Sequence, residues 1–153
     1  MRPIEPLPLN HSWPLSEQDG RFALGQLFEC GPGGFPHAVT AHFDGDELAR
    51  FGAGRWECDL RDNSLSWTAG VFDIFGLPRG AEVSREEAVA LYAEESRAIM
   101  ERLRAYAIRH QRGFTVDVEL RPASGNVRWM RLIAAPVCSG DRVVRLQGLK
   151  CAL

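Results

Sequence analysis

The chain has 153 residues, a formal net charge of −2, 45% apolar side chains and 25% charged ones. That is the make-up of one ordinary globular domain, long enough to bury a core without metal or disulfide support. The near-neutral charge excludes a global pull toward nucleic acid or anionic membrane, and no apolar run approaches the roughly 18 residues that cross a bilayer. The opening MRPIEPLPLN is broken by prolines and lacks the apolar stretch of a signal peptide. A cytoplasmic protein with no nucleic-acid and no membrane partner is the expectation. Cys30, Cys58, Cys138 and Cys151 are widely spaced with no C-x-x-C pair. They therefore read as free thiols in a reducing compartment and not as a zinc site.

Residues 1–44 read as an irregular N-terminal arm. Six of the nine prolines fall before residue 37, together with the glycine-rich CGPGGFP, and no regular period lasts beyond a short helix or strand near residues 21–29. Its apolar residues, Trp13, Phe22, Leu24, Leu27 and Phe28, are too many for a plain tail. The arm is expected to pack on the domain or on a second copy of it. Asp44–Phe51 follows as a short helix with Asp44 or Asp46 as its N-cap.

From Gly52 the pattern sharpens. Trp56, Cys58 and Leu60 alternate with polar residues, Asp62-Asn63 supplies a turn, and Leu65 and Trp67 alternate again, which is a hairpin. Ala69–Phe75 switches to helical spacing and ends at Gly76. Ser84 with Glu87 is a capping box for a helix reaching about Tyr92. A longer helix covers Glu94 to Arg112 and stops at Gly113. At about 100° per residue, Ile99, Leu103, Tyr106 and His110 fall in one arc, predicted to be its buried face. Three strands separated by Ser-Gly turns complete the chain, over Phe114–Arg121, Val127–Val137 and Arg142–Lys150, and form an antiparallel meander. Trp129 and Arg131 share one face of their strand and Met130 and Leu132 the other, so both faces are expected to be covered. The fold class is α+β: a five-stranded antiparallel sheet with helices gathered on one face, over residues 45–153.

GRWECDL (Gly54–Leu60), the Ser64–Trp67 strand, Ile74-Phe75-Gly76-Leu77 and Gly125-Asn126-Val127-Arg128-Trp129 together resemble a PAS domain. The resemblance is to the fold-3 subgroup with its W-x-x-D-L … W-S … I-F-G-L … D-G-x-x-R-W order, and it covers about residues 54–150. It implies a cupped sheet that holds small ligands or binds other signalling domains. Some positions depart from the pattern. Tyr92-Ala93-Glu94-Glu95-Ser96-Arg97 replaces a His-Pro-Asp-Asp-Arg run, Glu119 stands where Arg is usual, and Ser124 replaces the turn Asp. Cys151-Ala152-Leu153 occupies the place of the Asp-Ile-Thr coupling triplet, and a free-standing domain without an effector is the expectation. Such a chain is expected to signal by touching another one.

The chemistry-bearing residues point the same way. Cys30 and His37 are the one nucleophile–base pair the arm offers, with no third group to orient them, and a small thiol enzyme built on Cys30 is a distant alternative. No Asn-Cys-Arg-Phe-Leu helix of the photoactive flavin relatives is present, so flavin is not expected. His110 is the sole candidate haem ligand of the matched region, and its place in a last helical turn favours an ordinary structural role. Arg97, Arg102, Arg104, Arg109 and Arg112 are interleaved with acids and form no one-sign patch. The aromatic and aliphatic set Trp67, Phe72, Phe75, Tyr92, Ile99, Leu103, Phe114, Val116 and Trp129 can line a pocket or fill a core. Trp13, Phe22, Leu27, Phe28 and Phe51 are the candidates for a homodimer or partner contact. The leading expectation is a non-catalytic sensory PAS protein of bacterial signal transduction, acting by protein–protein interaction on a two-component histidine kinase. A small-ligand or haem sensor, its ligand between sheet and long helix, is the alternative.

Overall fold

The computed structural model describes residues 10–22, 43–122 and 124–153. Their frame is one antiparallel sheet: β1 (Asn10–Trp13), β2 (Ala53–Asp59), β3 (Ser64–Trp67), β4 (Gly113–Leu120), β5 (Arg128–Ser139) and β6 (Arg142–Ala152), in the order β1-β4-β5-β6-β2-β3. The β2–β3 hairpin forms where alternation places it, with Trp56 opposite Trp67 and Cys58 opposite Leu65. Asn63 takes the left-handed conformation (φ 60°) in its turn, which Asn tolerates better than most residues. The three C-terminal strands are the expected meander.

Helices α1 (Gln18–Arg21), α2 (Gly45–Arg50), α3 (Ala69–Phe75), α4 (Arg85–Val89) and α5 (Glu94–His110) surround this sheet. Asp44 caps α2 in a reciprocal box with Glu47, and Ser84 Oγ accepts the Glu87 N–H at the start of α4. Helix α4 ends at Val89, so Tyr92 lies beyond it and bridges to Leu120. Ser96 Oγ accepts the Glu119 N–H (2.8 Å), while the Ala93 N–H donates to the Glu119 carbonyl (2.9 Å). Two of the departures from the PAS pattern thus meet and tie the start of α5 to β4.

Three expectations need correction. The sheet has six strands, because Asn10–Trp13, inside the segment read as an irregular arm, pairs with β4. Helix α5 ends at His110, capped by left-handed Gln111 (φ 54°) and not by Gly113. Gly113 instead opens β4 beneath the indole of Trp13, where a Cβ would come within 2.2 Å of the ring. The buried stripe of α5 is Ser96, Met100 and Ala107, with Ile99 and Leu103 half-buried beside it. This stripe is rotated by about 60° from the arc chosen by apolar spacing. Tyr106 and His110 are exposed and lie against each other, ring centroids 4.3 Å apart. Small residues face the sheet because the helix lies close on it, and the larger aromatic pair is left on the solvent side.

Both sheet faces are covered, as the composition of β5 implied. The helical side buries the larger core, including Trp56, Phe75, Phe114, Val118, Met130 and Leu146. The outer side buries a smaller cluster around Trp13, Leu48, Ile133 and Leu149, with Phe22 and Phe43 against it. Trp13 is fully buried within its own chain, and Phe22 meets it edge-on at 6.2 Å. Of the partner-contact candidates, Phe51 remains exposed and stacks on Phe43. Leu27 and Phe28 lie outside the described residues, as do Leu24, Cys30 and His37.

Candidate functional site

The alternation that builds β6 puts Leu146, Gly148 and Lys150 on the helical face and Leu149 and Cys151 on the outer one. Both sets are enclosed, so a lysine in this strand is buried on either face. Gly148 admits no side chain, since a Cβ would lie 1.8 Å from the Ile133 carbonyl oxygen. Trp56, paired opposite Gly148, extends across it and donates its indole N–H to that same carbonyl (3.2 Å).

Lys150 is 6% exposed. Its Nζ stands 4.8 Å from the ring centroid of Phe75, 5.2 Å from that of Trp56 and 5.5 Å from that of Trp67. Among the described residues no carboxylate pairs with it and no acceptor takes its protons. Two effects oppose each other at this amine. Burial disfavours the ammonium and lowers its pKa to about 7, with Arg85 adding to that push and Cys58 offsetting it. The three ring faces favour the ammonium. Trp67 Nε1 and Arg145 Nε are also buried with no hydrogen-bond partner among the described residues.

Lys150 closes one side of a cavity of about 50 Å³ between the sheet and helices α4 and α5, several times what one water needs. Trp56, Tyr92, Met100, Phe114 and Leu132 give it apolar walls. Its charged lining is wholly cationic, Lys150, Arg85 and Arg104, with no Asp or Glu among the lining residues. Arg85 is ion-paired with Glu101 across the α4–α5 gap, and Arg104 donates to Asn63 Oδ1 (3.0 Å). The phenol of Tyr92 is held well above its ordinary range by burial. Among the described residues, Lys150 is the lining cation left without a polar partner.

Of the pocket candidates, Tyr92 and Phe114 line this cavity, and Trp67 and Phe75 wall the lysine. Phe72 packs edge-on against Trp67. Val116, Ile99 and Leu103 belong to the surrounding core. Trp129 is placed elsewhere: it pairs with Glu119 in the register that puts Arg131 opposite Asp117, on the outer face with Ile133. His110 does not reach the cavity; it is exposed at the end of α5. Lys150, Arg85 and Cys58 were not singled out from the sequence. The available signal was a lysine inside a strand, Gly148-Leu149-Lys150-Cys151, whose neighbours on both faces are apolar. No group of three His, Cys, Asp or Glu side chains suited to a metal occurs among the described residues, and no helix there is long and apolar enough to cross a membrane.

No protein-family model matches the chain, and no curated protein does. Solved structures do. The chain is similar to an RNA-binding light-oxygen-voltage receptor, at 16% identity and a TM-score of 0.58, over 66% of this chain and 29% of that one. It thus spans under a third of that receptor's length. It is similar to the N-terminal domain of a diguanylate cyclase with PAS/PAC sensor from Marinobacter aquaeolei, at 16% identity and a TM-score of 0.59, over 65% and 94% of the two chains. A sensory box histidine kinase/response regulator from Burkholderia thailandensis matches at 18% identity and a TM-score of 0.58, over 69% and 80%. The fold is therefore that of PAS sensor domains, the α+β class expected from the sequence. Domains of this fold occur as sensory parts of signalling proteins, light-oxygen-voltage receptors among them.

Proposed function

We propose that this chain is a non-catalytic sensory module whose input is the cavity around Lys150 and whose output is a change in the surface of α4 and α5. The observation that carries this reading is a buried amine on a cavity wall with no polar partner among the described residues. A group of that kind destabilises a fold and is explained where a ligand completes it. The Arg85–Glu101 pair couples the two helices at this cavity, so occupancy has a direct route to the outside.

The reader of that surface is a separate signalling protein, and the sensory histidine kinase among the similar structures supports a two-component kinase as its class. Phe51, exposed at the end of α2, marks a second interface, for a homodimer. The reading without haem or flavin is supported by cavity size. Benzene alone occupies a core cavity of about 150 Å³, three times this one. Affinity purification of the full chain from its native cell, followed by phosphotransfer assays with and without it, tests the proposal. Recovery of a histidine kinase whose autophosphorylation changes is the expected result. Absence of any signalling protein, or turnover of a substrate by the chain, contradicts it. An absorption spectrum with a flavin or Soret band contradicts the cofactor reading.

A further inference from the structure

We infer that the cavity is the binding site of a short aliphatic carboxylate of about two or three carbons, its acid group on Lys150 Nζ and its chain against Trp56, Met100 and Phe114. This inference rests on the sensory reading above and specifies its ligand. Three independent features carry it: the charge of the lining, the state of its donors and the size of the space.

The charge is one-sided. Every ionised side chain among the lining residues is a cation, and Glu101 is engaged by Arg85. An incoming cation would meet repulsion, and a neutral molecule would leave Lys150 uncompensated. An anion is the charge that matches.

The donors are unfilled. Lys150 Nζ makes no hydrogen bond to the described residues, and its rings accept only the face-on attraction of a cation. Buried polar groups in native cores are nearly all satisfied, so an unpaired lysine on the cavity wall points to an acceptor from outside. A carboxylate brings two oxygens.

The size is restrictive. A cavity of about 50 Å³ is a third of what one benzene ring fills, which sets the chain length and disfavours aromatic acids. The walls are aliphatic and aromatic, suited to a short alkyl group and not to a polyol or a nucleotide.

The full chain is titrated calorimetrically with propionate and with propionamide, which has the same shape without the charge. Propionate is expected to saturate, and propionamide to bind at least about tenfold more weakly, as a charge-assisted hydrogen bond implies. Lys150→Met is expected to lower propionate affinity about tenfold or more, and Lys150→Arg to retain part of it. Circular dichroism establishes that both variants are folded. Should Lys150→Met fail to fold, the wild-type Lys150 ε-methylene NMR signal serves instead, and it is expected to shift on adding propionate and not propionamide. Equal affinity for the amide overturns the carboxylate assignment and leaves the sensory reading intact. So does unchanged propionate binding by folded Lys150→Met. No saturation by propionate at millimolar concentration also overturns it. The sensory reading falls separately, if Lys150→Met leaves partner recovery and kinase activity unchanged.

Discussion

On the outer face of the sheet Asp117 is completely buried yet holds Arg131 through two hydrogen bonds of 2.8 and 3.1 Å, and Trp13 Nε1 donates to Thr115 Oγ1 at 3.0 Å. On the helical face Lys150 is buried with no hydrogen bond or ion pair to the described residues, and Trp67 Nε1 is buried without an acceptor among them. The two faces share strands, register and apolar partners, so the difference lies in what each leaves unmatched. The outer face matches its buried acid and its buried indole N–H and contributes stability, with Arg145 Nε the one buried donor there left without a partner among the described residues. The helical face keeps a charge and a donor open at a cost to stability, which is the signature of a place built to receive something.

The comparison can be broken most forcefully at Trp13. Truncating this fully buried ring to alanine should cost about 3–5 kcal/mol, measured by urea unfolding, and should detach β1 from β4. A loss under about 1 kcal/mol would show that the outer face does not depend on the N-terminal segment. Asp117→Ala removes the buried carboxylate that accepts both hydrogen bonds from the Arg131 guanidinium. The expected loss is about 3 kcal/mol, the lower end for a broken buried pair.

Lys150 should behave in the reverse way. With its folded pKa near 7 and an ordinary value of 10.5, both states hold the proton at low pH and the full burial penalty stands. Above about 7 the native amine releases its proton while the unfolded chain keeps it, so native stability rises with pH. The limiting slope is about 1.4 kcal/mol per pH unit. Lys150→Met should remove this rise and gain stability at about pH 6. The Cys151 thiol, pushed up to about 12 by burial, acts in the opposite sense only where the unfolded thiol ionises. The comparison therefore belongs between about pH 7 and about pH 8.5, taken as the difference between wild type and variant. The gentlest probe is chemical. Alkylation of the native protein should label exposed Cys138 and spare Cys58 and Cys151 until the chain unfolds, as read by peptide mass mapping.

Much of this was legible in the sequence because period-2 alternation and cap residues act locally. The Trp56–Trp67 hairpin, the Asp44 box, the left-handed Gly76 and the terminal meander each depend on residues close in the chain. What escaped depends on distant partners. Asn10–Trp13 has one large apolar residue and no period, and it becomes a strand because Gly113 leaves room for Trp13. The apolar arc of α5 was misplaced because helical spacing ranks residues by hydrophobicity, whereas Ala107 and Ser96 face the sheet for their size. Of the site, the aromatic walls Tyr92, Phe114, Trp67 and Phe75 were visible as types. Lys150 was not, because a strand-terminal lysine ordinarily reaches water, and only the sheet order shows it enclosed beneath α3 and α4.

The most direct test is an NMR pH titration of the Lys150 ε-methylene in the full chain, assigned by its loss in Lys150→Met. A midpoint near 7, moving upward when propionate is added, is the result that an unmatched amine facing an anion site requires. A midpoint near the ordinary 10.5, indifferent to propionate, would contradict it.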